Sequence, residues 1–328
     1  MKLLSRLSKL FLTAVVMTVA YPGSAIAQTY PNKPVRIIIP YNPGSAIDVV
    51  ARLVGEKPSA WWGQPVVVES KPGASGQIAV EATKRSPADG YTFILVDASP
   101  MAAAPHLYKR LPYDPFKDFD PVAPVYATNF FVSVAYDSPW KNIADLVAAA
   151  KAKNGSLTYA SAGIGSSAHL GTSMFEGEIG APMTHVPYKD LNQALTDISS
   201  GEVGWMFISG ASSQAMYRAK KIKHLAIAAP ERNPNYPDVP TMAEAGGPVK
   251  FEMKDWGGLY APRGTPQAII DKVNADFTRA LLEADVQQRM GTIGLRAWTG
   301  QPEDLRKAMV EKSAQIKDVV QRTKISLD

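Results

Sequence analysis

Along the chain, apolar residues fall into two regimes. Short dense runs rich in Val, Ile and aromatic residues predict strands at residues 35–40, 66–69, 92–96, 130–135, 158–160, 204–208, 225–229 and 257–261. Between them, apolar positions at three- and four-residue spacing predict helices at 46–60, 76–86, 143–153, 167–179, 192–200, 266–284 and 302–323. Strand and helix alternate, which predicts parallel, doubly wound α/β sheets. The helix after Thr265 carries a start signal, Thr as cap and Pro266 at the first helical position. Its residues Ile270, Val273, Phe277 and Leu281 supply one buried face, and Leu305, Met309, Ile316 and Val320 do the same for the last helix.

Two passages break the alternation. "YKRLPYDPFKDFDPVAPV" at 108–125 and "APERNPNYPDVPTMAEAGGP" at 229–248 are rich in Pro and read as ordered irregular connections. A chain that crosses from one lobe to another and returns needs two such passages.

Composition adds a compartment. Lys2, Arg6 and Lys9 precede the apolar stretch "LFLTAVVMTVAYPGSAIA", which ends in small residues and predicts a secretory signal at 1–27, cleaved after Ala27. A soluble, exported mature protein is expected. The chain of 328 residues has no cysteine, so neither disulfides nor thiolate metal sites are expected. The formal charge of +5 drops by three when the leader is removed, because residues 1–27 hold no Asp or Glu. "RAKKIKH" at 218–224 is the one basic cluster and reads as a solvated helix end or turn, so no nucleic-acid partner is expected.

Four loops could carry chemistry. In "PYNPGSAID" a strand ends, Tyr41, Pro43 and Gly44 form a short loop, and Ser45, Ala46 and Asp48 open a helix whose free N–H groups suit a carboxylate. An ordinary strand-to-helix turn fits the same residues, and neither GxxxxGK[ST] nor GxGxxG is spelled. "YASAGIGSSAHLGTSMF" repeats the arrangement with Ser161, Gly163, Gly165, Ser166 and Ser167. His169 follows two residues after Ser167, a spacing that suggests a structural or capping histidine, and no GxSxG elbow occurs. In "THVPYKDLNQ", Pro187 and Tyr188 end an extended piece, and Tyr188 either bonds a ligand or plugs the interlobe surface. In "DWGGLYAPRGTP", Trp256 reads as packing. His106, His169, His185 and His224 show no metal-ligand spacing, and no carboxylate pair for hydrolysis can be named.

These stretches carry a resemblance. With "YPNKPVRIIIPYNPGSAIDVVARLV", "GQPVVVESKPGASGQIAVEATKRSPADGYTFIL", "LPYDPFKDFDPVAPV", "LTYASAGIGSSAHLGTSMF", "HVPYKD", "LTDISSGEV", "PDVPTMAEAG" and "WGGLYAPRGTP", the chain resembles, nearly end to end, the Bug-type periplasmic solute receptors of tripartite tricarboxylate transporters. The resemblance implies an α/β fold of two doubly wound lobes with a ligand cleft between them, like type II periplasmic binding proteins. Lobe 1 would be 28–127 with 252–328, and lobe 2 would be 128–251. It implies a small carboxylate held between the loops 43–48 and 161–167, with Tyr188 completing the cleft. No enzyme activity, cofactor or metal is implied; the implied partner is a membrane transporter, and a monomer is expected. A sensor kinase is an alternative partner, and a serine hydrolase using Ser161, Ser166 or Ser167 an alternative activity. The chain departs from the family pattern at Ser45-Ala46, where a second glycine is usual, at Asp190, where a glycine is usual, and at Gly204-Trp205, where an Asp is usual. Trp205 and Phe207 would add apolar surface near the hinge, favouring a dicarboxylate with an aromatic, terephthalate-like, or medium-length apolar middle over citrate.

Overall fold

The first apolar run, VRIII, becomes strand β1 (Val35–Ile39), buried at every position but Arg36. After it, α1 (Ala46–Trp62), β2 (Val66–Ser70), α2 (Gln77–Lys84) and β3 (Thr92–Asp97) complete a parallel α/β block in which β1 pairs with both β2 and β3. Short helices α3 (Ala104–Leu107) and α4 (Pro115–Asp118) lead into β4 (Phe119–Ala135). A second block follows: α5 (Ile143–Lys153), β5 (Thr158–Ser161), α6 (Ser167–Ile179), β6 (Thr184–Pro187), α7 (Leu191–Ser200), β7 (Trp205–Ser209), α8 (Gly210–Arg218) and β8 (Ile222–Ile227). The chain returns through β9 (Lys254–Pro262) and closes with α9 (Gln267–Leu282), α10 (Ala284–Thr292), β10 (Arg296–Ala297) and α11 (Pro302–Thr323). This structure, a computed structural model, describes residues 30–327, so the expected leader and its cleavage after Ala27 lie outside the described residues. The chain from Lys33 onward forms one compact unit.

The two blocks share one strand. The sequence predicts an irregular connection over 108–125, yet β4 runs unbroken for 17 residues. Its first part, to Asn129, pairs with β9, and its last part, from Phe130, pairs with β7 and β8. Pro121 and Pro124 conceal it in the sequence, since proline cannot donate to a ladder; the register shifts between Pro121 and Ala123 and between Pro124 and Tyr126, which accommodates them. The return crossing lies alongside the exit. Phe130 N–H donates to Met253 O at 3.2 Å and Met253 N–H to Ala228 O at 2.9 Å.

Within each block the pairing is parallel, β1 with β2 and β3, β5 with β6 and β7. The crossing strands are antiparallel, β4 to β7, β8 and β9, and β9 to β3. A chain that leaves a block and returns beside its own exit has to reverse direction. The strand order is β2-β1-β3-β9-β4-β7-β5-β6.

Local signals shift by small amounts. Pro266, not Thr265, is the cap of α9, because the Thr265 hydroxyl donates to Pro262 O at 2.8 Å instead. The core of the second block is aromatic: Trp205, Phe207, Phe175 and Phe251 interlock, with ring centroids 5.1 Å apart for Trp205–Phe207 and 5.7 Å for Phe207–Phe251.

Candidate functional site

Helices α1 and α6 begin alike. Ser45 (φ −64°, ψ 159°) and Ser166 (φ −65°, ψ 158°) are extended N-caps. Each hydroxyl accepts an N–H from three residues on, Asp48 at 3.2 Å and His169 at 3.3 Å. That third residue bonds back: Asp48 Oδ2 accepts Gly44 N–H and His169 Nδ1 accepts Gly165 N–H, both at 3.0 Å. The result is a capping box displaced by one residue, and Ser45 is a cap by geometry.

The two helix starts differ in charge. Arg52 bonds Asp48 and, with the Gly44 N–H, holds its carboxyl below the usual range against its own burial. Asp48 is therefore ionised and offsets the positive end of α1. Burial, then the neighbouring His185, pushes His169 down to about 4, so the capping residue of α6 is neutral. The start of α6 therefore carries no acid of its own helix; the nearest carboxyl is that of Asp255 on β9, which is buried and bonded to Ser167.

Behind the α6 loop lies a stack. The rings of His169 and His185 are 3.9 Å apart and nearly parallel, and Tyr159 stacks on His185 at 4.9 Å. His185 Nε2 lies 2.6 Å from the Ser161 hydroxyl, which also bonds Gly163 O at 3.0 Å and accepts Gly163 N–H at 3.1 Å. Sequence spacing places no base beside this serine, but strand pairing does, since β5 and β6 are neighbours. Ser161 is fully buried, so the pair fastens the loop and offers no accessible nucleophile.

A cavity of about 300 Å³ opens between the blocks. The first block contributes Pro40 and Tyr41, the 73–76 turn, Asp97 and Ser99, and Leu107 and Tyr108; the second contributes residues 162 and 164–166; Leu327 closes one side. In the 73–76 turn, Ala74 (φ 46°) and Ser75 (φ 51°) are left-handed without being glycine, a conformation that costs on the order of 1–3 kcal/mol per residue.

Of the residues singled out from the sequence, Tyr41, Gly165 and Ser166 line this cavity. Pro43, Gly44, Ser45, Ala46 and Asp48 build the α1 cap beside it, with Pro43 and Gly44 exposed. Ser167 donates to Asp255 at 2.8 Å. Pro187 is exposed, and the Tyr188 hydroxyl turns away to donate to Asp197 at 2.7 Å. Phe207 and Trp205 are fully buried in the second core, because strand alternation points both toward Phe175 on α6. Neither ring lines the cavity, so they add no apolar surface to it and do not favour an aromatic ligand. Sequence reading missed Ser75, Asp97, Ser99 and Tyr108. The "KPGASG" turn was a visible signal for the first; Asp97 ends the apolar run of β3, Ser99 follows it in a stretch with no loop composition, and Tyr108 opens the Pro-rich passage at 108–125.

Two α/β blocks joined by crossing strands, with a cavity walled by loops from both, define a two-lobed solute receptor. The chain matches the Tripartite tricarboxylate transporter family receptor over residues 50–325 and belongs to that family, which is one of receptors and not of enzymes. Protein BugT of Bordetella pertussis is 31% identical over 309 residues, covering 94% of each chain. Among solved structures, R. palustris Rpa4515 with adipate superposes at a TM-score of 0.78 with 31% identity, over 89% of this chain and 97% of that one. MatC from Rhodopseudomonas palustris with bound malate superposes at 0.74 with 32% identity, over 89% and 100%. Among the described residues no helix is long and apolar enough to cross a membrane, and no cluster of His, Cys, Asp and Glu could hold a metal.

Proposed function

We propose that this protein is an exported receptor that captures a small carboxylate between its lobes and delivers it to the membrane subunits of a tripartite tricarboxylate transporter. One observation carries the reading: the cavity between the blocks is bounded by Gly165 and Ser166 at the start of α6, a helix end that holds no acid of its own helix and presents the positive end of its dipole. At about 300 Å³ the cavity is at the small end of ligand sites. Lobe 1 is 28–127 with 252–328, lobe 2 is 128–251, and the β4–β9 pair is the crossing about which they close. Closure is favoured to the extent that the closed state makes extra contacts with the ligand. The receptor acts as a monomer in the periplasm after loss of its leader.

The adipate and malate of the two R. palustris neighbours mark the size range to screen, and a dicarboxylate is the finer reading from the sequence. The test is native mass spectrometry of the purified chain for a co-purified acid, followed by calorimetry with mono- and dicarboxylates up to the size of adipate. Binding of at least one acid in the micromolar range is expected. Absence of binding across the panel at millimolar concentration refutes carboxylate capture.

A further inference from the structure

The cavity wall contributed by β3 carries an acid. Asp97 ends that strand and is the one charged side chain among the described residues that line the cavity. Its carboxylate accepts the Tyr41 hydroxyl and, at 2.9 Å, the Ser99 N–H. Opposite it in β9 stands Gly257, which also faces Tyr126 of β4. A Cβ on Gly257 would run into the Tyr126 ring, so the missing side chain makes room for that ring in the register position next to Asp97. Two residues back along β9, Asp255 is buried; it accepts the Ser167 hydroxyl at 2.8 Å and lies near enough to act on Asp97.

None of these neighbours supplies a positive charge. The titratable groups that act on or feel Asp97 are Tyr41 from the β1–α1 loop, Tyr113 from the α3–α4 connection, Tyr126 of β4, and Asp255 and Tyr260 of β9. Asp255 is felt at Lys312 of α11, whose ammonium donates to Lys254 O at 3.1 Å. The charged form of a half-buried carboxylate held by hydroxyl and amide donors alone is favoured by a cation brought beside it. A dianion spanning the cavity would set its second carboxylate against this wall, and like charges brought together in a partly desolvated site repel strongly.

We propose that Asp97 determines the ligand class: a small carboxylate whose other end carries a protonated amine, with the carboxylate at the α6 cap and the ammonium at Asp97, taken in preference to a dicarboxylate of the same length. This rests on the carboxylate reading above and narrows it. It departs from the dicarboxylates found with the two neighbours, because what decides is a side chain of this cavity and not the shared fold. Burial, then Asp255, raises Asp97 to about 7, so its charge is largely present at pH 8.

The experiment is calorimetry at pH 8 on the mature chain with three matched series: 4-aminobutanoate and 5-aminopentanoate, glutarate and adipate, and pentanoate and hexanoate. Wild type is expected to bind its best amino acid at least about tenfold more tightly than the dicarboxylate of equal length. Asp97→Asn is expected to reduce that ratio to within about threefold, by weakening the amino series and strengthening the dicarboxylates. Dicarboxylates that equal or exceed the amino series in wild type overturn the assignment of Asp97 while leaving carboxylate capture standing, as does an unchanged ratio in a folded Asp97→Asn. Binding by none of the three series overturns this proposal, while carboxylate capture itself stands or falls with the wider panel above. The wild-type ratio does not depend on whether the variant folds.

Discussion

Replacing Asp97 with Asn is expected to stabilise the unliganded protein more at pH 8 than at pH 5. In an unfolded chain an aspartate titrates near 3.9. In the fold, burial and then the charge of Asp255 move Asp97 up to about 7. Between these values the folded state holds a proton that the unfolded state has released, so the contribution of Asp97 to stability falls as pH rises from about 4 to about 7. At 1.36 kcal/mol per unit of pKa the full cost is on the order of 4 kcal/mol at pH 8, and the part incurred between pH 5 and pH 8 is roughly 2–3 kcal/mol. An asparagine has no such charge, and its amide oxygen can still accept from the Ser99 N–H or the Tyr41 hydroxyl.

The assay is urea unfolding of both proteins, stripped of ligand, at the two pH values. The readout is the difference between the proteins, because His169, His185 and His224 all titrate below their usual value and tilt the wild-type profile the other way. Histidines kept neutral in the fold lower stability as pH falls below about 6.5, and that effect cancels when variant and wild type are subtracted. An Asp97→Asn gain that is equal at both pH values, or larger at pH 5, would show that the charge of Asp97 is compensated in the fold and refute the reasoning.

Further changes test other parts of the molecule. Ser45→Gly removes the hydroxyl that caps α1 and should cost no more than about 0.5 kcal/mol in thermal or urea unfolding, with ligand affinity unchanged; a tenfold weaker affinity would place that hydroxyl on the ligand. His185→Ala takes away the 2.6 Å partner of Ser161 and the ring stacked on His169, and is expected to weaken carboxylate binding by roughly tenfold in calorimetry as the α6 loop loosens; unaltered affinity would separate the stack from the site. Phe207→Ala should cost about 3–5 kcal/mol in urea unfolding without shifting ligand preference, and a cost below about 1 kcal/mol would contradict its place in the core. Gly257→Ala brings a methyl group against the Tyr126 ring and should cost about 1–3 kcal/mol, read from the urea midpoint, together with a change in ligand affinity because the ring borders Asp97.

Much of this protein is written locally. Period-two and three-to-four spacing depend on neighbours along the chain, so β1, α1, α6 and the seam of α11 are legible without a fold. The Ser caps at 45 and 166 belong to the same kind of information, since a cap and its partner lie within one helical turn. Family membership could also be read from the sequence, because it rests on ordered local motifs. Only the tertiary structure decided the rest. Strand β4 was concealed by Pro121 and Pro124, whose place in a strand depends on the bulges that β9 accommodates. Trp205 and Phe207 faced the core rather than the cleft because the side of a strand that is buried is set by what packs on it, here Phe175 and Phe251. Ser161 and His185, 24 positions apart, became neighbours through strand pairing. Asp97 drew no attention as one acid at the end of an apolar run; its environment comes from Tyr41, Tyr126 and Asp255, brought together by three other segments, and no spacing along the chain encodes that meeting.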